Sequence, residues 1–442
     1  MGLFKLNFNF KSKKSAIDFF FKYRWIIFLI LLIAYFFVYF HRISTSVLGR
    51  SITDDLGGSV ALLSSVYFWT YTAMQIPSGL LTDKYGPRLS VTVFLLIATI
   101  GTFITAVGTS FSTILIGKAL IGAGLAVVYI PLMKIIAVWF KKSEFASLNG
   151  VVIAVGNIGA IVAGGPLALL NDAIGWRDVF LILGSITLCI VFLVFLLIRD
   201  HPKELNLPGI EQIEFEQDGI PIVEKTDAKI PVLEGLKIIF KSGKKFWMPT
   251  LAYFLIFGSI MVYQGTWVKI YFENTYPMWQ NVAWMVTSIG IGKTITSFSL
   301  GFVTDRIFHS KRKVMIFGVL GYTAVWFVIW FFSDRIPNYN FWLLINFLFG
   351  FFGGFMSVSF AQVKEWFPIA ISGTVIAGMN LFLFGGAAII TSVSNFMVTK
   401  DSSAAEFQSF WFLMMILSFI ALVLVYLSVE KPKNNKNEMQ TK

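Results

Sequence analysis

Apolar stretches of roughly 20 residues, each long enough to cross a hydrocarbon core as a helix, recur along almost the whole chain. A water-soluble fold could not hide so much apolar surface, so the bilayer is the solvent in which this chain must be read. Composition agrees: 56% of the 442 residues are apolar and 14% are charged, against roughly 25% charged in soluble domains. The net charge of +12 would suit nucleic acid if it gathered on one face. Here the basic residues are spread between apolar runs, and no nucleic-acid partner is expected. The one cysteine, Cys189, lies inside such a run and can build neither a disulfide framework nor a thiolate metal site.

Polar interruptions divide the chain into twelve expected spans, near 25–48, 61–82, 89–108, 111–140, 145–170, 177–198, 246–272, 280–303, 314–333, 339–363, 369–398 and 406–428. Lys and Arg give the orientation, because positively charged loops stay cytoplasmic. With the N-terminus inside, 27 of the 36 Lys and Arg fall on the cytoplasmic side. Only Arg50, Arg177, Arg335 and Lys400 fall opposite, and both termini are expected in the cytoplasm. Residues 1–24, with Lys5, Lys11, Lys13, Lys14, Lys22 and Arg24, read as a basic cytoplasmic arm before an uncleaved first helix. Residues 199–245, rich in charge and proline, read as a solvated cytoplasmic linker between two six-helix halves, 25–198 and 246–428. Residues 429–442 form a cytoplasmic tail.

The halves repeat each other. Gly79, Asp83, Lys84, Gly86 and Arg88 follow the second span, while Gly301, Asp305 and Arg306 follow the eighth, with the aspartates 222 residues apart. Gly150 to Asn157 in the fifth span matches Gly373 to Asn380 in the eleventh at an offset of 223. Two local matches at nearly one spacing indicate a duplicated six-helix unit.

The first of these segments resembles the cytoplasmic signature G-x-x-x-D-[RK]-x-G-x-[RK] of the major facilitator superfamily. The resemblance covers residues from about 20 to 430. It implies an all-α membrane protein with the major facilitator fold, twelve transmembrane helices in two halves, and alternating access to a site near the midplane. In such a turn glycines permit close approach, and Asp83 can pair with a cation of a neighbouring helix. Gly79, Asp83, Gly86, Arg88, Asp305 and Arg306 are therefore expected to gate. Gly164, Gly165 and Pro166 in the fifth span resemble a motif of antiporter members.

Five basic residues fall within spans: Arg42, Lys118, Lys134, Lys269 and Lys293. No Asp or Glu lies mid-span to neutralise them. A charge at that depth is costly and marks a water-filled path or a partner. Tyr35, Tyr39, Arg42 and Ser46 share one helical face, and a guanidinium fork suits phosphate or carboxylate. Lys22-Tyr23-Arg24-Trp25 followed by Arg42 is similar to the first helix of organophosphate:phosphate antiporters, which implies a substrate-binding role for Arg42. Those antiporters carry a second arginine in helix seven, and the only cation there in this chain is Lys269.

Lys293 is too deep to snorkel to the surface. Lys118 and Lys134 share the fourth span on faces about 160° apart, and Lys134 can reach the cytoplasmic surface. Polar stripes add Tyr71 and Gln75 in span two and Tyr263, Gln264 and Trp267 in span seven; Asn157 and Asn380 are equivalent amides of the repeat.

The expected substrate contacts are thus Arg42, Lys293, Lys118, Lys269, Tyr39, Tyr71, Gln75, Gln264, Asn157 and Asn380. His41 is the only mid-span group that titrates near neutrality, an optional proton site. These features point to a transporter of a small organic anion, an organophosphate or carboxylate, acting as a monomer among lipids of the inner membrane. Proton-coupled uptake of an amino acid, nucleoside or siderophore stays open, as does a transporter-like receptor. Enzymatic function is not expected, because nucleotide loops, metal-spaced His/Cys clusters and nucleophile elbows are missing from the sequence. No cofactor or metal is expected.

Overall fold

The computed structural model describes residues 13–218, 232–368 and 371–430. Lys5 and Lys11, the middle of the linker and most of the tail lie outside these residues. A bilayer offers backbone groups no water, so each apolar run must pair its own N–H and C=O groups, which a helix does. Helices α1 (Lys13–Leu56), α2 (Val60–Ala73), α3 (Gln75–Val107), α4 (Phe111–Leu125), α5 (Tyr129–Trp139), α6 (Phe145–Val162) and α7 (Gly165–Leu197) come first. Two short helices follow, α8 (Ile210–Asp218) and α9 (Val232–Lys241). The rest of the chain supplies α10 (Lys244–Val262), α11 (Val268–Thr275), α12 (Trp284–Phe302), α13 (Lys311–Phe332), α14 (Tyr339–Gly354), α15 (Val358–Lys364), α16 (Ser372–Met397) and α17 (Ala404–Leu427). Connections are short and capped: Ser59, Ser110, Ser310 and Ser403 each accept a hydrogen bond from a first-turn N–H.

Among the described residues, ten helical stretches are long and apolar enough to cross a membrane. The expected second span is shared between α2 and the first turns of α3, and the fifth between α6 and the first turns of α7. Gly86 (φ 81°, ψ 162°) then divides α3, and Gly175 (φ 80°, ψ 158°) divides α7. These angles are outside the helical region and open chiefly to glycine, so each helix turns sharply there.

Helices within each half pack closely, α3 on α4 and α7, and α12 on α14. Between the halves α2 meets α16, α6 meets α12, and α1 meets the turn 263–267. Large apolar side chains point outward, Phe396 at 87% and Phe298 at 72% exposure, as lipid-facing surfaces require. The linker differs from the solvated connector expected. Ile210 and Ile213 are buried, while Leu236 and Ile239 are buried where α9 packs on α16. The apolar spacing of these positions docks both described flanks of residues 219–231.

Candidate functional site

The face shared by Tyr35, Tyr39 and Arg42 turns inward. Arg42 is only 4% exposed. Its guanidinium lies 4.4 Å from the ring centroid of Tyr39, 4.8 Å from Phe384 and 5.2 Å from Tyr71. It donates to Tyr71 Oη at 3.3 Å, and its Nε has no partner. α1 and α2 belong to the first half and α16 to the second, so a buried cation sits where the halves meet. Among the described residues no carboxylate pairs with it. Rings stabilise a guanidinium through their π faces, but they cannot satisfy its N–H donors.

Across the interface, half-buried Lys293 on α12 makes no ion pair among the described residues, and α12 packs on α6 of the first half. One turn on, Ser297 Oγ donates to the Lys293 carbonyl at 2.9 Å and accepts from Asn157 Nδ2 at 3.2 Å. Gln75 Nε2 donates to the Tyr71 carbonyl at 3.3 Å. Asn380 is half-buried on α16. The structure therefore brings Arg42, Tyr39, Tyr71 and Gln75 together, with Lys293 on the α12 side of the same interface between the halves. Phe384 and Ser297 complete the arrangement, and the sequence carried no sign of them: one of 47 phenylalanines and one unremarkable serine.

Other expected contacts go elsewhere. Lys118, almost fully buried, donates from Nζ to Thr45 Oγ1 at 3.1 Å and lies 5.1 Å from the Phe180 ring, inside the first half. His41 is also buried, its Nδ1 unpartnered. Lys269 pairs with Glu273 one turn along α11, at 2.6 Å, so its charge is answered locally. Gln264 is fully buried in the wide turn Tyr263–Trp267 and donates to the Val286 carbonyl at 3.3 Å. Tyr263 packs among Trp326, Phe349 and Trp411, while Trp267 Nε1 donates to Ser394 Oγ at 2.9 Å. The expected span-seven stripe is thus buried by packing, in a turn that also meets α1 and α2 of the first half.

Contacts between the halves concentrate at the end of the bundle far from residues 13–24. Arg50 NH1 lies 2.7 Å from Asn274 Oδ1 and 3.6 Å from Glu273. Lys400 pairs with Asp54 and donates to the Thr53 carbonyl at 3.2 Å. Trp69 Nε1 donates to Ser392 at 3.0 Å, and Ser59 bonds Asn395. At the expected antiporter motif, Gly165 N–H donates to Thr287 Oγ1 at 2.9 Å, and a Cβ on Gly165 would press to 2.6 Å from the Trp284 ring.

Charge pairs at the near end stay within one half. Arg24 holds Glu144 through both nitrogens at 3.0 and 3.1 Å, and Lys134 holds Asp83 at 2.9 Å. Lys311 holds Glu365 at 2.6 Å. The Arg88 N–H donates to Asp200 at 2.6 Å, and Arg88 Nε to the Phe195 carbonyl at 2.9 Å. A Cβ on Gly86 would lie 2.8 Å from the Asp200 carboxyl carbon, so glycine is required by contact as well as by φ. Burial pushes the Asp200 carboxyl above its usual range, with the Arg88 N–H pulling the other way. Gly79 faces open space, and Asp305 and Arg306 are exposed; close approach explains none of these three.

The sequence model of the Major Facilitator Superfamily matches residues 31–278 and 280–442. A probable hexose phosphate transport protein of Chlamydia trachomatis is 24% identical over 415 residues, 90% of this chain and 89% of its own length. A probable galactarate/D-glucarate transporter of Bacillus subtilis is 25% identical over 438 residues, 90% of this chain and 92% of its own. The glycerol-3-phosphate transporter of the same bacterium is 25% identical over 404 residues, 85% and 83% of the two chains.

Proposed function

We propose a function from one premise: this chain belongs to the major facilitator superfamily, as a multi-pass membrane transporter. Its substrate is a small organic anion, an organophosphate or a carboxylate, held between the halves by Arg42 and Lys293. The observation that carries this reading is the burial of Arg42 without a carboxylate partner. Removing a cation from water costs several kcal/mol unless a counter-charge comes with it. A ligand anion supplies that charge, and Arg42 adds the directional fork that phosphate and carboxylate match. Relatives that handle sugar phosphates, sugar diacids and glycerol phosphate agree in substrate charge.

On this reading α3 and α7 each contribute two crossings, one on either side of Gly86 and of Gly175, which makes twelve, six per half. With the basic arm in the cytoplasm, the far end is the outer face. The halves are then latched outside, and the site is reached from the cytoplasm. Transport follows by rocking of the halves about the Arg42–Lys293 level, as anion exchange or facilitated entry across the inner membrane. Proton-linked uptake is a second reading, favoured by the buried, unpartnered Nδ1 of His41; it requires uptake that follows a pH gradient and loses that dependence in His41→Ala.

A thermal-shift screen of purified protein with sugar phosphates, sugar diacids, neutral sugars and amino acids tests the anion reading. Anions are expected to stabilise it, and Arg42→Ala to weaken their binding at least about 30-fold. Lys293→Gln should cost about tenfold, since a half-buried ammonium stays partly screened. Stabilisation by neutral or cationic compounds alone, unchanged in Arg42→Ala, sinks the proposal.

A further inference from the structure

A second cationic site lies outside the transport path, where α13 begins and α17 ends. A cavity of about 680 Å³ opens there, lined by Ser310, Arg312, Lys313, Ile316, Tyr426 and Glu430 among others. Above it the α13–α17 seam presents Leu320, Phe327, Phe419, Ile420 and Val423 outward at 43–58% exposure, the lipid-facing surface of a spanning pair. The cavity therefore opens where headgroups meet acyl chains, away from Arg42.

Its charge is one-sided. The Glu430 carboxylate is consumed by α13's own start, accepting from Lys311 N–H at 2.7 Å and from Ser310 Oγ at 2.5 Å. Lys311 Nζ is drawn off to Glu365. Arg312 and Lys313 remain with no carboxylate partner among the described residues. The Arg312 guanidinium stacks 5.3 Å from the Tyr426 ring and donates to that residue's carbonyl, yet its Nε is buried without a partner. The positive end of the α13 dipole points the same way. Two cations, an orphaned N–H and an apolar wall suit a phosphate ester bearing acyl chains.

We propose that this cavity binds the headgroup of an anionic phospholipid, its phosphate on Arg312 and Lys313 and its acyl chains along Ile316 and the α13–α17 seam. Basic pockets between membrane helices on the cytoplasmic side favour such lipids, each cation contributing roughly a factor of five in affinity.

The test uses the full chain in nanodiscs of phosphatidylcholine alone or with phosphatidylglycerol, read by hydrogen exchange, together with lipid adducts by native mass spectrometry. Phosphatidylglycerol should protect 311–316 and 424–430, and its adducts should exceed those of phosphatidylcholine by about 30-fold per unit lipid. Arg312→Gln with Lys313→Gln should remove that preference, whereas Lys142→Gln, an exposed lysine elsewhere, should retain it. Equal protection of the wild-type chain in both lipids overturns the proposal whether or not the double variant folds. So does protection by inorganic phosphate in phosphatidylcholine nanodiscs without any lipid preference, which would mark a free-phosphate site.

Discussion

The two ends of this molecule are built from the same kinds of residue and connected differently. At the far end Arg50–Glu273 and Asp54–Lys400 reach from one half into the other. At the near end Arg24–Glu144, Lys134–Asp83 and Lys311–Glu365 each stay within one half, and the Arg88 N–H bonds Asp200 at the start of the linker. The first pattern holds the two halves against each other; under the rocking mechanism proposed above, the second would keep each half rigid while its partner moved. A hinge between two rigid bodies needs both, because packed cores switch between discrete arrangements rather than deforming smoothly.

Freezing the far end should break this contrast most completely. Joining Ser59→Cys to Asn395→Cys with a short bis-methanethiosulfonate, which forms a disulfide to each cysteine and releases sulfinate, in a Cys189→Ser background, should stop transport almost entirely, at least about 20-fold, and reductant should restore it. Undiminished flux in fully cross-linked protein would mean that this end never opens.

Loosening the same end should act less. Arg50→Gln with Lys400→Gln removes partly exposed pairs, each contributing about 0.2–1 kcal/mol. Thiol labelling of a single cysteine at position 395 should rise about fivefold at low salt, and high salt should mimic the variant. Labelling that ignores both changes would assign closure to packing alone.

The smallest effect belongs to the near end. Because burial raises the Asp200 carboxyl, the folded state holds its proton more tightly than the unfolded chain. The charged form therefore costs stability above that raised pKa, and the cost fades as pH falls through it. Asp200→Asn keeps an acceptor for the Arg88 N–H. It should match or exceed wild type near neutral pH by under about 1 kcal/mol and lose that advantage on acidification. An advantage that grows in acid would reverse the argument. The rate of labelling at position 395 should not change, since the bond Asp200 accepts comes from the first half and reaches no residue of the second.

Arg42 was legible because an arginine in an apolar run is conspicuous, and Tyr39 because it shares the arginine's helical face. The answer to Lys269 was within reach too, since Glu273 stands four residues on, the spacing that brings side chains together on a helix. Phe384 was beyond reach: it stands far along the chain, and no periodicity says that its ring will cover a guanidinium on α1. The burial of the span-seven stripe was hidden for a related reason. Tyr263–Trp267 forms a wide turn, which rotates Gln264 off the phase that ideal helical spacing assigns.

The sequence by itself determined that the chain lives in a bilayer, that it repeats a helical unit, and that uncompensated cations lie within the spans. Those properties are local, set by hydrocarbon that denies the backbone any partner but its own helix. Only the tertiary structure decided which cation stands alone at the interface, which is paired off, and which end of the molecule is latched. Lipid and protein interior are equally apolar, so hydropathy does not tell a helix which face to bury; close packing and a few polar contacts between distant segments make that choice.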